Sequence, residues 1–385
     1  MTTSRQRITN CRLFDGAQMR SGYDVIIDNK HVVEIVAASA AAASDSDALD
    51  LGGQMLAPGL IDLQVNGGGG VLFNATPTLA GLQAIVTAHR ATGTTACLPT
   101  LITDNREVMQ NGIDAVAAAI AQDVPGILGI HLEGPHLNPE FRGVHEASFM
   151  RTLDADAFSL LTSLRTGKTL LTVAPETMSV EMIKQLCDAG VIVFAGHSAA
   201  SFDEARAALK AGLTGFTHLF NAMSPLTSRA PGMVGAALDD AHAFVGIIVD
   251  GHHVHPATIR IALRAKVRGK VCLVTDAMPT VGASDTKFEL HGKTIVAAEG
   301  RCVTEDGTLA GSNIGMIDAV RNAANFAGVD TLEALRMASA YPATALGLND
   351  SLGHIRAGYR ANLVALDENL RVMRTWIDGQ MELHA

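Results

Sequence analysis

The chain has 385 residues, 48% of them hydrophobic and only 4% aromatic, which is enough apolar material for a large core in one to three domains. Its net charge of −10 at pH 7 argues against a nucleic-acid surface, while leaving room for a local basic pocket that takes an anion. The opening MTTSRQRITN has no apolar signal core and no apolar run reaches the ~18 residues of a membrane span, so the chain reads as soluble and cytoplasmic.

Residues 6–56 read as short strands: RITNCRLF, then YDVIIDNKHVVEIV, a hairpin whose polar tip is Asp28-Asn29-Lys30. The Ala/Ser/Asp stretch at 38–49 is low in complexity and predicts a surface loop. A new pattern starts at Ile61-Asp62-Leu63-Gln64-Val65-Asn66. Seven more apolar strands follow: TACLPT (95–100), ILGIHLE (127–133), LLTVAPE (170–176), VIVFAGH (191–197), TGFTHL (214–219), FVGIIVD (244–250) and VCLVTDA (271–277). Helical patterns lie between most of them, such as LAGLQAIVTAHRATG with Gly93 as C-cap, and SVEMIKQLCDAG with Ser179 as N-cap and Gly190 past its end. Strand–helix alternation repeated eight times predicts an α/β fold, a (β/α)8 TIM-like barrel. The stretch KFELHGKTIVAAEGRCVTEDGTLAGS then reads as an excursion of short strands and turns, followed by helices around 314–327 and 331–341. The closing GHIRAGYRANLVALDENLRVMRTWIDGQ returns to strands. The two ends are expected to form one small flanking β-sandwich, 1–56 with 346–385, beside a catalytic barrel over 57–345. Cys11, Cys97, Cys187, Cys272 and Cys302 stand far apart with no CxxC pair, which predicts buried reduced thiols rather than a disulfide framework.

Four of the apolar strands finish in a residue that binds metals or protons. Glu133 ends the third, His197 the fifth, His218 the sixth and Asp276 the eighth. A carboxylate at the end of a buried strand is costly unless something pairs with it. The C-terminal mouth of such a barrel carries its chemistry, and two neutral imidazoles with one carboxylate suit a catalytic divalent cation with an open position. Zinc is the first reading, with Fe2+, Co2+ or Mn2+ compatible with the same donors. Asp276 is placed to take a proton from an attacking water and pass it to a leaving nitrogen. A single histidine of this kind is more often a satisfied core residue; three ligand-type residues at three strand mouths reverse that weighting.

With APGLIDLQVNG, HLEGPHLN, RGVH, AGHS, THLFNAM, RAPGMVG, DGHHVHP, LVTDAM, LAGS and GHIRAGYRANLVALD, nearly the whole chain resembles the amidohydrolase superfamily. Within it, the resemblance is to the deacetylases that act on N-acetylglucosamine 6-phosphate. The resemblance implies hydrolysis of the acetamido group of that sugar phosphate to D-glucosamine 6-phosphate and acetate, in amino-sugar catabolism or cell-wall recycling. It implies Glu133, His197 and His218 as metal ligands and Asp276 as general base and acid. It also implies substrate contacts from Val144, His145, Asn221 and Ala222, phosphate-sugar contacts from Arg229 and His253, and a closing loop at Leu309-Ala310-Gly311. A homodimer is implied too, a neighbour's loop helping to complete the phosphate site.

Many members of the superfamily carry His-x-His at the end of the first strand and bind a second metal there. Here the pair is Gln64 and Asn66, neutral amides that are poor zinc or iron ligands, so one cation per subunit is expected. Gln64 or Asn66 can still hydrogen-bond the site's water. The rival readings are the same chemistry on N-acetylgalactosamine 6-phosphate, a cyclic-amide hydrolase, and a non-catalytic sugar-phosphate-binding barrel. His252 and His255 carry no role in this reading, His131 is expected to point into the barrel, and His136 is left unassigned.

Overall fold

The computed structural model describes residues 5–38 and 48–384, so the predicted loop at 38–49 lies, but for its edges, outside the described residues. Eight parallel strands follow one another round a single sheet: Leu60–Val65, Thr94–Ile102, Gly129–Glu133, Lys168–Val173, Ile192–Ala195, Gly215–Phe216, Phe244–Ile248 and Val271–Val274. Each pairs in parallel with its neighbour in sequence. The eighth strand meets the first through the stretch that follows it. Asp276 N–H donates to Gln64 O at 3.0 Å, and Asn66 N–H donates to Ala277 O at 2.9 Å. Between these strands the Asp62 carboxylate accepts from Thr275 N–H at 3.3 Å and Thr275 Oγ1 at 2.5 Å. Burial pushes this carboxyl up to about 7. The strands are buried almost throughout, because helices cover the outside and side chains fill the interior.

The fifth, sixth and eighth strands end two residues before His197, His218 and Asp276, although the Asp276 backbone still bonds the first strand. These three residues have φ of 49°, 33° and 52°, outside the extended region, so each turns its side chain off the end of the ladder and over the barrel mouth. Helix boundaries follow local chemistry. Thr78 caps Leu79–Arg90 by accepting from Gly81 N–H, but the C-cap is Ala91; Gly93, at φ 85°, turns the chain two residues later. Ser179 caps Val180–Asp188, and Gly190 (φ 88°) follows its end as expected. The expected second helix at 331–341 is two helices, Thr331–Met337 and Ala340–Ala345, broken at Ser339, whose φ of −140° and ψ of −73° are not helical.

Strands from both chain ends form two flanking sheets. One holds Gln6–Thr9, Tyr23–Asp28, His31–Ala37 and Leu49–Asp50; the other holds Arg12–Phe14, Met19–Arg20, Met55–Pro58, Leu363–Leu366, Val372–Ile377 and Gln380–Leu383. Ile8, Leu13, Val25, Leu56, Leu363 and a fully buried Trp376 fill the space between them. Each fully buried side chain of this size contributes roughly 1.5–3 kcal/mol, so this apolar layer holds the two ends together. The excursion after the eighth strand is a four-stranded antiparallel sheet, Lys287–Leu290, Lys293–Ala298, Arg301–Thr304 and Leu309–Ser312. It packs Ile295 and Cys302 against Ile102 and Met278 beside the barrel mouth. All five cysteines are free, four of them buried and Cys187 half-buried. No described helix is long and apolar enough to cross a membrane.

Candidate active site

Glu133, the last residue of the third strand, is 2% exposed. Its Oε1 lies 3.2 Å from His197 Nε2 and 3.0 Å from His218 Nε2, and the two ring nitrogens are 3.0 Å apart. Burial works against the Glu133 charge, but His197 and His218 outweigh it and hold the carboxyl well below its ordinary range. Burial likewise opposes a charged His218, and the Glu133 carboxylate overcomes it to raise that imidazole. His197 Nδ1 is 2.8 Å from Phe141 O, a carbonyl that can only accept, so Nδ1 carries the proton and Nε2 offers a lone pair. Two facing ring nitrogens and one carboxylate oxygen cannot all satisfy one another with protons. They do suit a cation: donors ~2.0–2.1 Å from a tetrahedral ion are roughly 3.3 Å apart, close to the 3.0–3.2 Å edges of this triangle. Among the described residues it is the one cluster of three or more such donors.

Asp276 stands beside this triangle. Its Oδ1 accepts from Asn66 Nδ2 at 2.6 Å and Gln64 Nε2 at 3.0 Å, and the same Gln64 nitrogen donates to Glu133 Oε1 at 3.1 Å. Both amides therefore turn their N–H groups inward toward carboxylates, and Asn66 Oδ1 is left buried without a partner among the described residues. Burial, with the Glu133 charge adding to it, pushes Asp276 up to about 6.

The group lines a cavity of about 360 Å3, together with Val144, His145, Asn221, Ala222, His253 and the Leu309–Gly311 segment of the antiparallel sheet. A hollow of about 610 Å3 opens between outer helices around Arg264 and Glu333, away from any cluster of metal-binding donors, so its size does not mark it as the reaction site. His145 is 3% exposed, and its Nδ1 receives the Thr103 backbone N–H at 3.3 Å. The Thr103 hydroxyl, 2.9 Å from the same nitrogen, can donate there too; the tautomer that accepts both carries its proton on Nε2, 3.9 Å from Glu133 Oε2. Burial, then His197, hold this imidazole well below its usual pKa and keep it a neutral donor. His253 Nδ1 lies 2.6 Å from Asp250 Oδ2, and Asp250 Oδ1 accepts the backbone N–H groups of His252 and His253.

Arg229 is not brought to this cavity by its own chain. It is exposed on the segment after Ala222 and is absent from the cavity lining. His131 lies inside the barrel between Thr100 Oγ1 (3.2 Å) and Thr172 Oγ1 (2.8 Å), and burial lowers it to about 4. His136 Nδ1 pairs with Arg151 O at 2.8 Å. His252 Nε2 pairs with Glu299 O at 2.8 Å, and His255 caps the helix Pro256–Ala265. Sequence reasoning missed Thr103, Asp250 and Glu176. The last two also end apolar runs, FVGIIVD and LLTVAPE, and that signal could have found them.

The sequence profile of the Amidohydrolase family matches residues 55–381. The N-acetylgalactosamine-6-phosphate deacetylase of Shewanella sp. (strain ANA-3) is 45% identical over 85% of this chain and 82% of its own length. The crystal structure of N-acetylglucosamine-6-phosphate deacetylase from Pasteurella multocida superposes with a TM-score of 0.95 at 35% identity, covering 99% of this chain and 100% of that one. An aspartate-to-alanine variant of the Mycobacterium smegmatis N-acetyl-D-glucosamine-6-phosphate deacetylase, in complex with N-acetyl-D-glucosamine 6-phosphate, gives a TM-score of 0.90 at 33% identity over 98% of this chain and 99% of that one. An eight-stranded barrel with a Glu/His/His triangle at its mouth, in a chain related to these proteins over most of its length, belongs to the amidohydrolase family, on the branch that holds these deacetylases.

Proposed function

We propose that the chain hydrolyses the acetamido group of N-acetyl-D-glucosamine 6-phosphate, giving D-glucosamine 6-phosphate and acetate, with one divalent cation per subunit. One observation carries the proposal: Gln64 Nε2 bridges the Glu133 corner of the donor triangle and the Asp276 carboxylate, at 3.1 and 3.0 Å, inside a single cavity. A cation held by Glu133, His197 and His218 supplies Lewis acidity, polarising the acetamide carbonyl and lowering the pKa of water toward ~7. Two imidazoles and a carboxylate favour Zn2+, with Fe2+, Co2+ or Mn2+ as further candidates.

The chain's own groups then divide the work. Asn66 and Gln64 occupy Asp276 Oδ1, which leaves Oδ2 to take a proton from the attacking water. The same oxygen returns that proton to the nitrogen as the C–N bond breaks, and burial, which raises the proton affinity of this carboxyl, suits it to both transfers. His145 offers its Nε2–H to the carbonyl oxygen as negative charge develops there. His253, steadied by Asp250, and the backbone near Asn221 and Ala222 receive the sugar phosphate, while Val144 and Leu309-Ala310-Gly311 close round the sugar. Arg229 lies outside its own chain's cavity, and we assign it to the phosphate site of a second subunit. A guanidinium gives phosphate a bidentate fork. The working form is then a homodimer, in the cytoplasm.

The relative 45% identical to this chain acts, by name, on the galacto epimer, which favours N-acetylgalactosamine 6-phosphate as a second reading. Acetate release from the two epimers, compared as kcat/KM, decides between them. No acetate from either one, with the cation bound, refutes the proposal and leaves the cyclic-amide hydrolase and the non-catalytic binding barrel.

A further inference from the structure

We infer that Glu176 is a positioning residue that sets His197 for cation binding. This rests on the reading that Glu133, His197 and His218 hold the ion. Glu176 lies in the turn Pro175–Thr177 just after the fourth strand. Its Oε1 accepts from Asn138 Nδ2 at 2.9 Å and from Ala199 N–H at 2.6 Å, and its Oε2 accepts from Ser198 Oγ at 2.6 Å. Both oxygens are thus committed to donors, and Glu176 is not one of the clustered ligand groups.

Those three donors are the two supports of His197. The first is the backbone. Ser198 and Ala199 directly follow His197, whose φ of 49° is one that a residue with a side chain holds only when its surroundings enforce it. The second is the ring. Asn138 N–H donates to His197 O at 3.0 Å, and the Asn138 side chain caps the turn Pro139–Phe141 by accepting from Glu140 N–H at 2.9 Å. That turn presents Phe141 O, which receives His197 Nδ1–H at 2.8 Å and so fixes the tautomer. Backbone and ring supports both end on one carboxylate. His218 differs, since its Nδ1 has no partner among the described residues. Glu176 is therefore the residue through which the protein orients its better-held imidazole.

The test is Zn2+ affinity of the metal-free protein, by competition with a chromophoric chelator, together with the visible spectrum of the Co2+-loaded form. Outer partners of metal-binding histidines typically change affinity by about 10–100-fold. We expect a loss of that size for Glu176→Ala, a smaller one for Glu176→Gln, and altered Co2+ bands in both. Metal-free Glu176→Ala that melts lower but binds Zn2+ as wild type does would mean ordinary structural support and overturn the inference. Should that variant fail to fold, Ser198→Ala removes one hydroxyl donor only; it is expected to weaken Zn2+ severalfold, and unchanged affinity overturns the inference. A wild-type chain that takes up neither Zn2+ nor Co2+ overturns the ligand reading itself, an outcome distinct from a wild type that binds beside variants that bind equally well.

Discussion

Replacing Asp276 with Asn tests the chemistry while sparing the architecture. The amide keeps an oxygen where Asn66 Nδ2 and Gln64 Nε2 now donate, at 2.6 and 3.0 Å. Its nitrogen takes the place of Oδ2 and cannot accept a proton. Loss of a general base costs about 10²–10⁴ in rate, or roughly 3–5 kcal/mol of barrier at 1.36 kcal/mol per decade. Stability moves the other way. Burial and the Glu133 charge lift Asp276 from 3.8 to about 6, which corresponds to roughly 3 kcal/mol against the charged form. Because the folded-state pKa lies above the unfolded one, this penalty is absent below pH ~4, grows through the interval and is complete above ~6. At pH 8 metal-free Asp276→Asn should melt no lower than metal-free wild type. The assay pairs acetate-release kinetics with bound-metal content and Tm. Turnover within about threefold of wild type, in a folded and metal-loaded variant, refutes the assignment of Asp276, since a base is worth at least ~10².

The reaction's pH profile should show an acid limb where Asp276 takes up a proton and ceases to be a base; a kcat/KM that stays flat down to the pH at which the cation is lost counts against this role. His145→Ala should lower kcat by about 10²–10³, the usual cost of one donor to a developing oxyanion, with metal content unchanged; a pure KM effect would make His145 a binding group instead. Adding Zn2+ to metal-free protein should raise Tm, by an amount equivalent to about 2.7 kcal/mol at a hundredfold excess over Kd, and His197→Ala should abolish the rise. Arg229→Ala should raise KM for the phosphorylated sugar. Mixing subunits of Arg229→Ala with subunits of Asp276→Asn should restore activity, because each hybrid holds one site with both groups; no restoration would place Arg229 in its own subunit's site or in none.

What could be read from the chain depended on how local the cause was. The apolar runs that end in Glu133, His197, His218 and Asp276 announce both the barrel and the donor set, because a buried parallel strand leaves an obvious signature and its last residue has one place to go. The predicted runs overshoot the ladder ends by two residues at Ala195 and three at Phe216, since hydropathy does not register the positive φ that turns His197 and His218 over the mouth. Ser339 broke a helix for a similar reason, its backbone leaving helical geometry inside a run of good helix formers. The groups that hold the donors were harder to see. Asn138 meets Glu176 across 38 positions and Asn66 meets Asp276 across 210, and no periodicity connects residues so far apart.

That difference bears on how the site tolerates change. A donor at a strand end is presented by the barrel itself, so the barrel's burial energy sustains it and most distant substitutions leave it in place. A support such as Glu176 draws on three hydrogen bonds from two separate loops, each worth ~1.5–3 kcal/mol where a charged acceptor is involved. Losing it need not unfold the barrel, yet it frees a backbone held at φ 49° and the carbonyl that fixes the His197 tautomer. Substitutions around residues 138, 176 and 198 should therefore alter cation affinity before they alter stability, whereas substitutions in the strands should do the reverse.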